Sequence, residues 1–510
     1  MEKNLPTVDL LVVGGGINGA GIALDAAGRG LRVHLVEQHD FASATSSRSS
    51  KLIHGGLRYL EHYEFRLVRE ALSERDILRK KAPHLIKAKR FILPHRPHLR
   101  PTWLIRIGLF LYDTLGGRST LATSRGLWFD ASSPLQSHLV RGFEYTDCWV
   151  DDARLVIANL QALREKGGTI DNYTRCEKAF VQDGLWHVML RDVPAGTGSA
   201  ETNSSDNTAS EPRCVRARCL VNATGPWAQT FIEDRLKLAS PRRIRLIKGS
   251  HLIVPRIYEG ETCYILQNQD KRVVFVIPYL NDFTLIGTTD KVHTGSPETV
   301  NTDDDEIEYL LAVYNDHFKR ILTRADIVAH YAGVRPLCDD ESDDPSAITR
   351  DYTMSLQQLH GVPWLSVFGG KLTTYRKLAE TALNTLKPVF PHLSGPWTRY
   401  ATLPGGEQPP ELLASEVNQR CAFVPEDTRQ RWLSAYGTRY RHIVRDAQTW
   451  EDLGEDLGGG LTEAEVRYLC ETEWARCAED ILRRRTTLYL TGPESLTHRI
   501  SQMINKMNDK

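Results

Sequence analysis

Residues 9–37, DLLVVGGGINGAGIALDAAGRGLRVHLVE, decide the fold. Leu10 to Val13 is a short apolar run of the kind a fully buried parallel strand needs. It stops at Gly14-Gly15-Gly16-Ile17-Asn18-Gly19, which fits G-x-G-x-x-G, and a helix lined with small residues follows: Gly19, Ala20, Ala23, Ala26 and Ala27. Arg32 to Val36 is a second apolar strand, closed by an acid, Glu37. In such a unit Gly14 permits the tight turn, Gly16 lets backbone approach a pyrophosphate, and Gly19 lets helix pack close on strand. The helix N-terminus offers N–H groups and a positive dipole end to phosphates. Glu37 stands where a ribose-binding acid is expected, roughly 20 residues on. The stretch reads as a dinucleotide-binding unit; an ordinary βαβ turn is the plainer alternative.

Bulk composition narrows the classes. The 510 residues suffice for two or three domains and a large core. Hydrophobic residues at 41% and charged residues at 25% are those of a soluble globular chain. Lys plus Arg equals Asp plus Glu, 64 each, so no global field favours nucleic acid and any attraction to anions is local. The nine cysteines are scattered and contain no C-x-x-C pair. They predict neither a disulfide framework nor a metal site and suit a reducing cytosol. MEKNLPTVDLL leads directly into the first strand, so no signal peptide is expected, and no apolar run reaches the length of a membrane span.

Beyond Glu37 the chain turns polar, from Ser43 to Lys51. This is either a solvated loop or a row of cofactor contacts, with Ser46, Ser47, Ser50 and Lys51 as candidates. In the following Leu52 to Tyr59, the pair Gly55-Gly56 implies a close backbone approach, and Arg58 and Tyr59 are placed to face the same centre. A helix is predicted over 64–81 and a strand over 89–93. The segment 94–112, PHRPHLRPTWLIRIGLFLY, mixes arginines with large apolar residues. It suits either a core helix or a helix lying in a membrane interface.

A helix is predicted over 147–166, strands over 169–181 and 185–190, and an unordered loop over 193–212. Cys219 to Trp227 is a strand running into a glycine turn at Gly225. Residues 244–289 read as an antiparallel sheet, 303–322 as a helix, and 327–334 as a strand leading to Arg335-Pro336. Leu365 to Phe368 is a strand before Gly369-Gly370-Lys371-Leu372-Thr373-Thr374, and a helix then runs through Leu386. Thr373 and Thr374 are candidates for capping that helix as well as for cofactor contact. Residues 391–410 form a linker. The remainder is helical, with a T-x-x-E capping box at Thr462-Glu463-Ala464-Glu465 opening a helix to about Arg484.

The first unit alone does not separate NAD from FAD. A glycine-rich unit that opens the chain, with further strand-to-glycine turns at 222–225 and 368–374, fits a flavoprotein whose binding domain is discontinuous. At these residues the chain closely resembles the respiratory FAD-dependent glycerol-3-phosphate dehydrogenases, within the glycine-oxidase-like flavoproteins. The segments that carry the likeness include GGGINGAGIALDAAGRGL, ATSSRSSKLIHGGLRYLEHYEFRLV, FEYTDCWVDDARL, LVNATGPW, RLIKGSHLIVPR, LIGTTD, GVRPLCDDESD and FGGKLTTYRKLAE.

The resemblance implies an α/β fold with an α+β substrate domain. A Rossmann-like FAD domain would comprise 1–90, 141–240 and 330–390. A substrate or cap domain with an antiparallel sheet would comprise 91–140 and 241–329, and a C-terminal helical domain 391–510. It further implies oxidation of sn-glycerol 3-phosphate to dihydroxyacetone phosphate, with electrons passed to membrane ubiquinone. The enzyme would be cytoplasmic, peripherally attached to the membrane and a homodimer. FAD would be held by Gly14, Gly16, Asn18, Gly19, Glu37, Ser46, Ser47, Ser50, Lys51, Gly225, Gly370, Leu372 and Thr373. Arg58, Arg335 and Lys371 suit a phosphate dianion. His251 is the first candidate for the base that takes the C2 hydroxyl proton, with His54 and Tyr59 behind it. An oxygen-using glycerol-phosphate oxidase and a non-catalytic redox sensor are the rival readings.

Overall fold

The computed structural model describes residues 7–57, 60, 63–96, 99–117, 119–196, 211–270, 272–338 and 352–509. Two sheets dominate the described residues. In the first, Val362–Phe368, Arg213–Asn222, Thr7–Val13, Val33–Val36 and Thr169–Asp171 lie side by side and parallel. Leu10, Leu11 and Val12 are fully buried, as a strand covered on both faces requires. The helix Ile17–Gly28 packs between Asp152–Glu165 and Tyr375–Thr385. Thr353–Leu359 adds an antiparallel edge, and the hairpin of Thr174–Gln182 and Leu185–Asp192 extends the other half of Arg213–Asn222.

The parallel register aligns Val13 with Asn222 and Val36, and Asn222 with Ser366. The turns that follow these strands therefore emerge together at one sheet edge. In an open α/β sheet that is where ligands bind. Three glycine turns far apart in sequence thus share one edge.

The second sheet is mainly antiparallel. Ile244–Pro255 pairs along its length with Ala329–Cys338 and, on its other side, with Phe283–Gly287. Val273–Tyr279, Cys263–Gln267, Ile86–Pro94 and Arg141–Val150 continue it. The helix Asp304–Asn315 covers it with Ile307, Leu310, Leu311 and Tyr314. Its N-terminus carries a reciprocal capping box between Asp303 and Glu306.

Several expectations are corrected. Residues 52–53, 86–94, 141–150 and 329–338 pair into the second sheet, so the strand boundaries differ from the expected domain limits. The helix expected from Asp147 begins at Asp152. Asp147 ends up in a strand because its carboxylate accepts hydrogen bonds from Arg75 and the Tyr112 hydroxyl rather than capping a helix. The helix expected to reach Leu322 stops at Asn315. Arg335-Pro336 lies within its strand rather than after it. Of 193–212, only 193–196 and 211–212 are among the described residues.

The C-terminal part is a separate core of helices and 3-10 or π turns around Trp432, Tyr440, Val466 and Ile481. Its expected capping box does not form. Thr462 makes no side-chain cap, because Glu465 is taken instead by Arg431, the Trp432 indole N–H and the Tyr436 hydroxyl. The helix ends at Glu473, where Trp474 turns left-handed. All nine cysteines are free thiols.

Candidate active site

The nucleotide edge is built from backbone. Gly14 takes φ +115° and lies against the Ala223 carbonyl. A side chain at Gly19 would overlap the Gly14 carbonyl oxygen, so the helix can start here only with a bare Cα. At Gly16 the nearest atom to an added Cβ is Ser46 Oγ, 3.1 Å away. That hydroxyl accepts a hydrogen bond from the Ile17 N–H at 3.0 Å, so Ser46 caps the helix from a distant loop. Glu37 accepts from the Gly15 N–H at 2.7 Å and the His39 N–H at 3.0 Å, which sets its carboxylate on the lip of the glycine turn. Asn18 donates from Nδ2 to the Gly369 carbonyl at 3.1 Å and so joins the first glycine turn to the third. Gly370 has φ +105° and sits against Asn18. The Asn18 Oδ1 is buried without a partner. A cradle of backbone with an orphaned acceptor and an acid at its lip fits a dinucleotide.

The Ser/Thr loop, expected either as a solvated loop or as a row of cofactor contacts, bonds to the second sheet. Thr45 Oγ1 donates to the Val334 carbonyl at 2.8 Å, Arg48 to the Ala332 carbonyl at 3.2 Å, and the Tyr331 hydroxyl to the Ser49 carbonyl at 2.8 Å. It stitches the first sheet to a face of the second. The Ser47 hydroxyl donates to the Ala44 carbonyl within its own turn, and the Ser47 carbonyl accepts from the Lys51 ammonium at 3.3 Å. Lys51, read as a cofactor contact, places its ammonium in a buried ion pair with Asp152 at 2.6 Å. The carboxylate holds the lysine charged despite burial.

On that face of the second sheet, residues 247, 249 and 251 stand opposite 335, 333 and 331. Alternation puts all of them on one side. Gly249 has no side chain, and the Arg335 guanidinium occupies the room: an added Cβ would lie 2.6 Å from Arg335 Nη2. Gly333 makes way for Arg48, and Gly287 makes way for the His251 ring. Arg335 pairs with Asp290 and donates to Thr288 Oγ1 at 3.0 Å. His251 stacks on Tyr331 with ring centroids 4.8 Å apart, and its Nε2 lies 2.8 Å from Ser50 Oγ. Its Nδ1 is buried with no partner, as is the Ser250 hydroxyl.

Ser50, expected at the cofactor, has its hydroxyl on the candidate base. Tyr331, Thr288 and Asp290 were not singled out from the sequence. The quoted LIGTTD run contains Thr288 and Asp290, and Tyr331 lies two residues before the quoted GVRP run, but only strand pairing reveals their adjacency. Thr373 lies against the His54 backbone, 3.3 Å from its N–H, which brings the third glycine turn to the His54 segment. Leu372 opens the 3-10 turn that leads into the helix, and Lys371 immediately precedes it. Gly225 turns with φ +58° after the Asn222 strand end. Arg58 and Tyr59 lie outside the described residues.

Burial, and then the charges of Arg335 and Lys51, lower His251 from 6.5 to about 3. Burial first also lowers His84 to about 3 and His317 to about 4. All three are neutral at physiological pH. Because the folded values lie below the unfolded one, the unfolded chain binds more protons once the pH falls under about 6.5. Stability is therefore full above that pH and declines toward pH 4. The expected loss is about 2 kcal/mol per histidine between pH 7.5 and pH 5. Urea unfolding at the two pH values tests this. His84→Gln should shrink the pH-dependent loss by about 2 kcal/mol, and an unaltered loss refutes the assignment.

A glycine-lined edge that fits a dinucleotide, tied through the Ser/Thr loop to the sheet face that carries His251 and Arg335, is the framework of an oxidoreductase that works on a bound dinucleotide. The family model for FAD dependent oxidoreductase matches residues 9–376. The model for the C-terminal domain of alpha-glycerophosphate oxidase matches residues 396–510. A glycerol-3-phosphate dehydrogenase of Pseudomonas aeruginosa is 57% identical over 499 residues, covering 97% of this chain and 94% of that one. A D-erythritol 1-phosphate dehydrogenase of Brucella abortus is 49% identical over 490 residues, covering 95% of each chain. Among solved structures, the glycerol-3-phosphate dehydrogenase of Bacillus halodurans complexed with FAD superposes with a TM-score of 0.73 at 27% identity, over 99% of this chain and 90% of that one. The chain belongs to the FAD-dependent glycerol-3-phosphate dehydrogenases of this family, and FAD is its cofactor.

Proposed function

We propose that the chain oxidises sn-glycerol 3-phosphate to dihydroxyacetone phosphate and delivers the electrons to membrane ubiquinone. The observation that carries the reaction is the shared sheet face, where Arg335 and His251, with its unpartnered buried Nδ1, project from paired strands on one side. When bound, FAD supplies the acceptor for the hydride leaving C2. Arg335 and Lys371, joined by Arg58, hold the phosphate dianion; the arginine fork offers two donors and the lysine a point charge. Ser50 fixes the His251 ring. With Nε2–H donated to Ser50 Oγ, Nδ1 keeps its lone pair for the C2 hydroxyl proton. Loss of that proton and of the C2 hydride leaves the ketone, so atoms and electrons balance. The phosphate dianion and the proton on the histidine then sit close together, which raises the basicity of the ring when substrate is present.

The Brucella relative's name makes the polyol length a fair question. Anaerobic addition of sn-glycerol 3-phosphate to the yellow protein should bleach it. Bleaching by D-erythritol 1-phosphate alone would move the assignment to the longer polyol. Re-oxidation by a soluble quinone but not by air supports the quinone acceptor; rapid re-oxidation by air with peroxide formation supports the oxidase.

A quinone acceptor requires contact with a bilayer. No described helix is long and apolar enough to cross one. The helix Thr102–Leu115 turns Leu109 and Tyr112 inward, whereas Trp103, Ile107 and Phe110 are 64%, 49% and 64% exposed. With Arg106 they form one i, i+3, i+4, i+7 stripe, which supports a peripheral, interfacial attachment on the cytoplasmic side. Arg96 takes no part, being tied to Asp316 at 2.6 Å. Replacing Arg100 and Arg106 with Glu should weaken co-sedimentation with anionic vesicles several-fold and spare dye-linked activity. Unchanged sedimentation would refute the contact.

A further inference from the structure

The nucleotide edge is gripped from outside by the C-terminal module. The link runs through residues 37–42. Glu37 sits on the Gly15 N–H, the Ala42 N–H donates to the Gly15 carbonyl at 3.1 Å, and Phe41 packs so close to Gly15 that an added Cβ would stand 2.5 Å from its ring. Between them lies Asp40, 1% exposed. Arg485 clamps its carboxylate with two hydrogen bonds of 2.8 Å, and Arg484 adds a third. Arg485 also donates to the Glu473 carbonyl at 2.8 Å, and Arg484 pairs with Asp480 at 2.7 Å. Phe41 meets Trp474 edge to face, with centroids 5.5 Å apart. Asn172 donates to the Trp474 carbonyl at 2.8 Å and closes the cluster.

A buried ion cluster is a poor source of net stability, because desolvation offsets the attraction. What it does supply is registry: a misplaced loop would strand two guanidinium groups and a carboxylate in an apolar interior. The apolar Phe41–Trp474 contact supplies adhesion, and the bidentate clamp sets position. We propose that Asp40, Arg484, Arg485 and Trp474 are positioning residues for FAD. By this reading the C-terminal module is a retaining brace that holds the Gly15–Glu37 lip in its dinucleotide-binding shape. The inference rests on FAD as cofactor and not on the identity of the substrate.

The test measures FAD binding to the full-length deflavo-protein by fluorescence quenching, with no substrate present. Asp40→Asn and Trp474→Leu should each raise the FAD dissociation constant at least tenfold. Each should also shrink the FAD-induced rise in melting temperature, which a uniform loss of stability would leave in place. Glu416→Gln, which breaks the Arg441 pair inside the module, serves as control and should leave the dissociation constant within twofold. Constants within twofold of the parent, in whichever of the two variants keeps a native circular dichroism spectrum, overturn the proposal. So does an equal effect from Glu416→Gln. Should Asp40→Asn fail to fold, Trp474→Leu decides alone.

Discussion

Arg335→Met should lower kcat/KM for sn-glycerol 3-phosphate by about 10²–10⁴-fold while the purified protein stays yellow. The guanidinium lies over Gly249 on the face that carries His251, paired with Asp290 and donating to Thr288. A phosphate dianion arriving there takes two charge-assisted hydrogen bonds, each worth about 1.5–3 kcal/mol. Their sum converts to the stated range at about 1.4 kcal/mol per decade. Arg335→Lys should recover part of the loss, because it restores charge without the fork. The loss should fall mainly on KM if the phosphate is bound equally in ground and transition states, and on kcat if it positions C2. Steady-state dye-linked assays with FAD content checked by absorbance decide the matter. A fall of less than tenfold would make Arg335 a structural partner of Asp290 only.

Gly19→Ala should yield protein that does not retain FAD. The new methyl group would overlap the Gly14 carbonyl oxygen, which belongs to the backbone of the turn itself. No side chain can rotate away, so the helix must lift from the strand. Overpacking of this kind costs about 1–3 kcal/mol and deforms the N–H groups aimed at the pyrophosphate. The expected preparation is colourless, with a melting temperature several degrees lower. Gly30→Ala is the proper comparison. Gly30 has φ +96° but open space around its Cα, so the substitution adds strain without collision and should leave the protein yellow. Visible absorbance and thermal unfolding of the two variants separate the effects. FAD retained by Gly19→Ala would remove close helix–strand contact as a requirement.

Much of the nucleotide edge was legible because its signals are local. A buried strand, a turn that needs bare Cα atoms, a small-faced helix and a terminal acid occur within one continuous stretch, and each leaves its mark in residue type and spacing. Glu37, Gly14, Gly16 and Gly19 accordingly sit where the pattern puts them. So do the antiparallel second sheet and the helical C-terminal part, which follow from periodicity.

Other features depended on charges choosing partners across the chain. Asp147 looked like the acidic start of a helix but is claimed by Arg75 and Tyr112. Glu465 looked like a capping acid but is claimed by Arg431, Trp432 and Tyr436. Lys51 was read as a cofactor contact, and its ammonium pairs with the buried Asp152. A buried charge goes to whichever opposite charge folding brings within reach, and sequence spacing carries no record of that distance.

Residue type and spacing carry the dinucleotide unit, the family likeness and the residue types available for phosphate and proton. It takes the folded chain to show that Ser50 steadies His251, that Arg335 reaches over Gly249, and that Asp40 is braced by Arg484 and Arg485. The first set rests on backbone geometry within neighbouring residues, whereas the second rests on strand register and domain packing over hundreds.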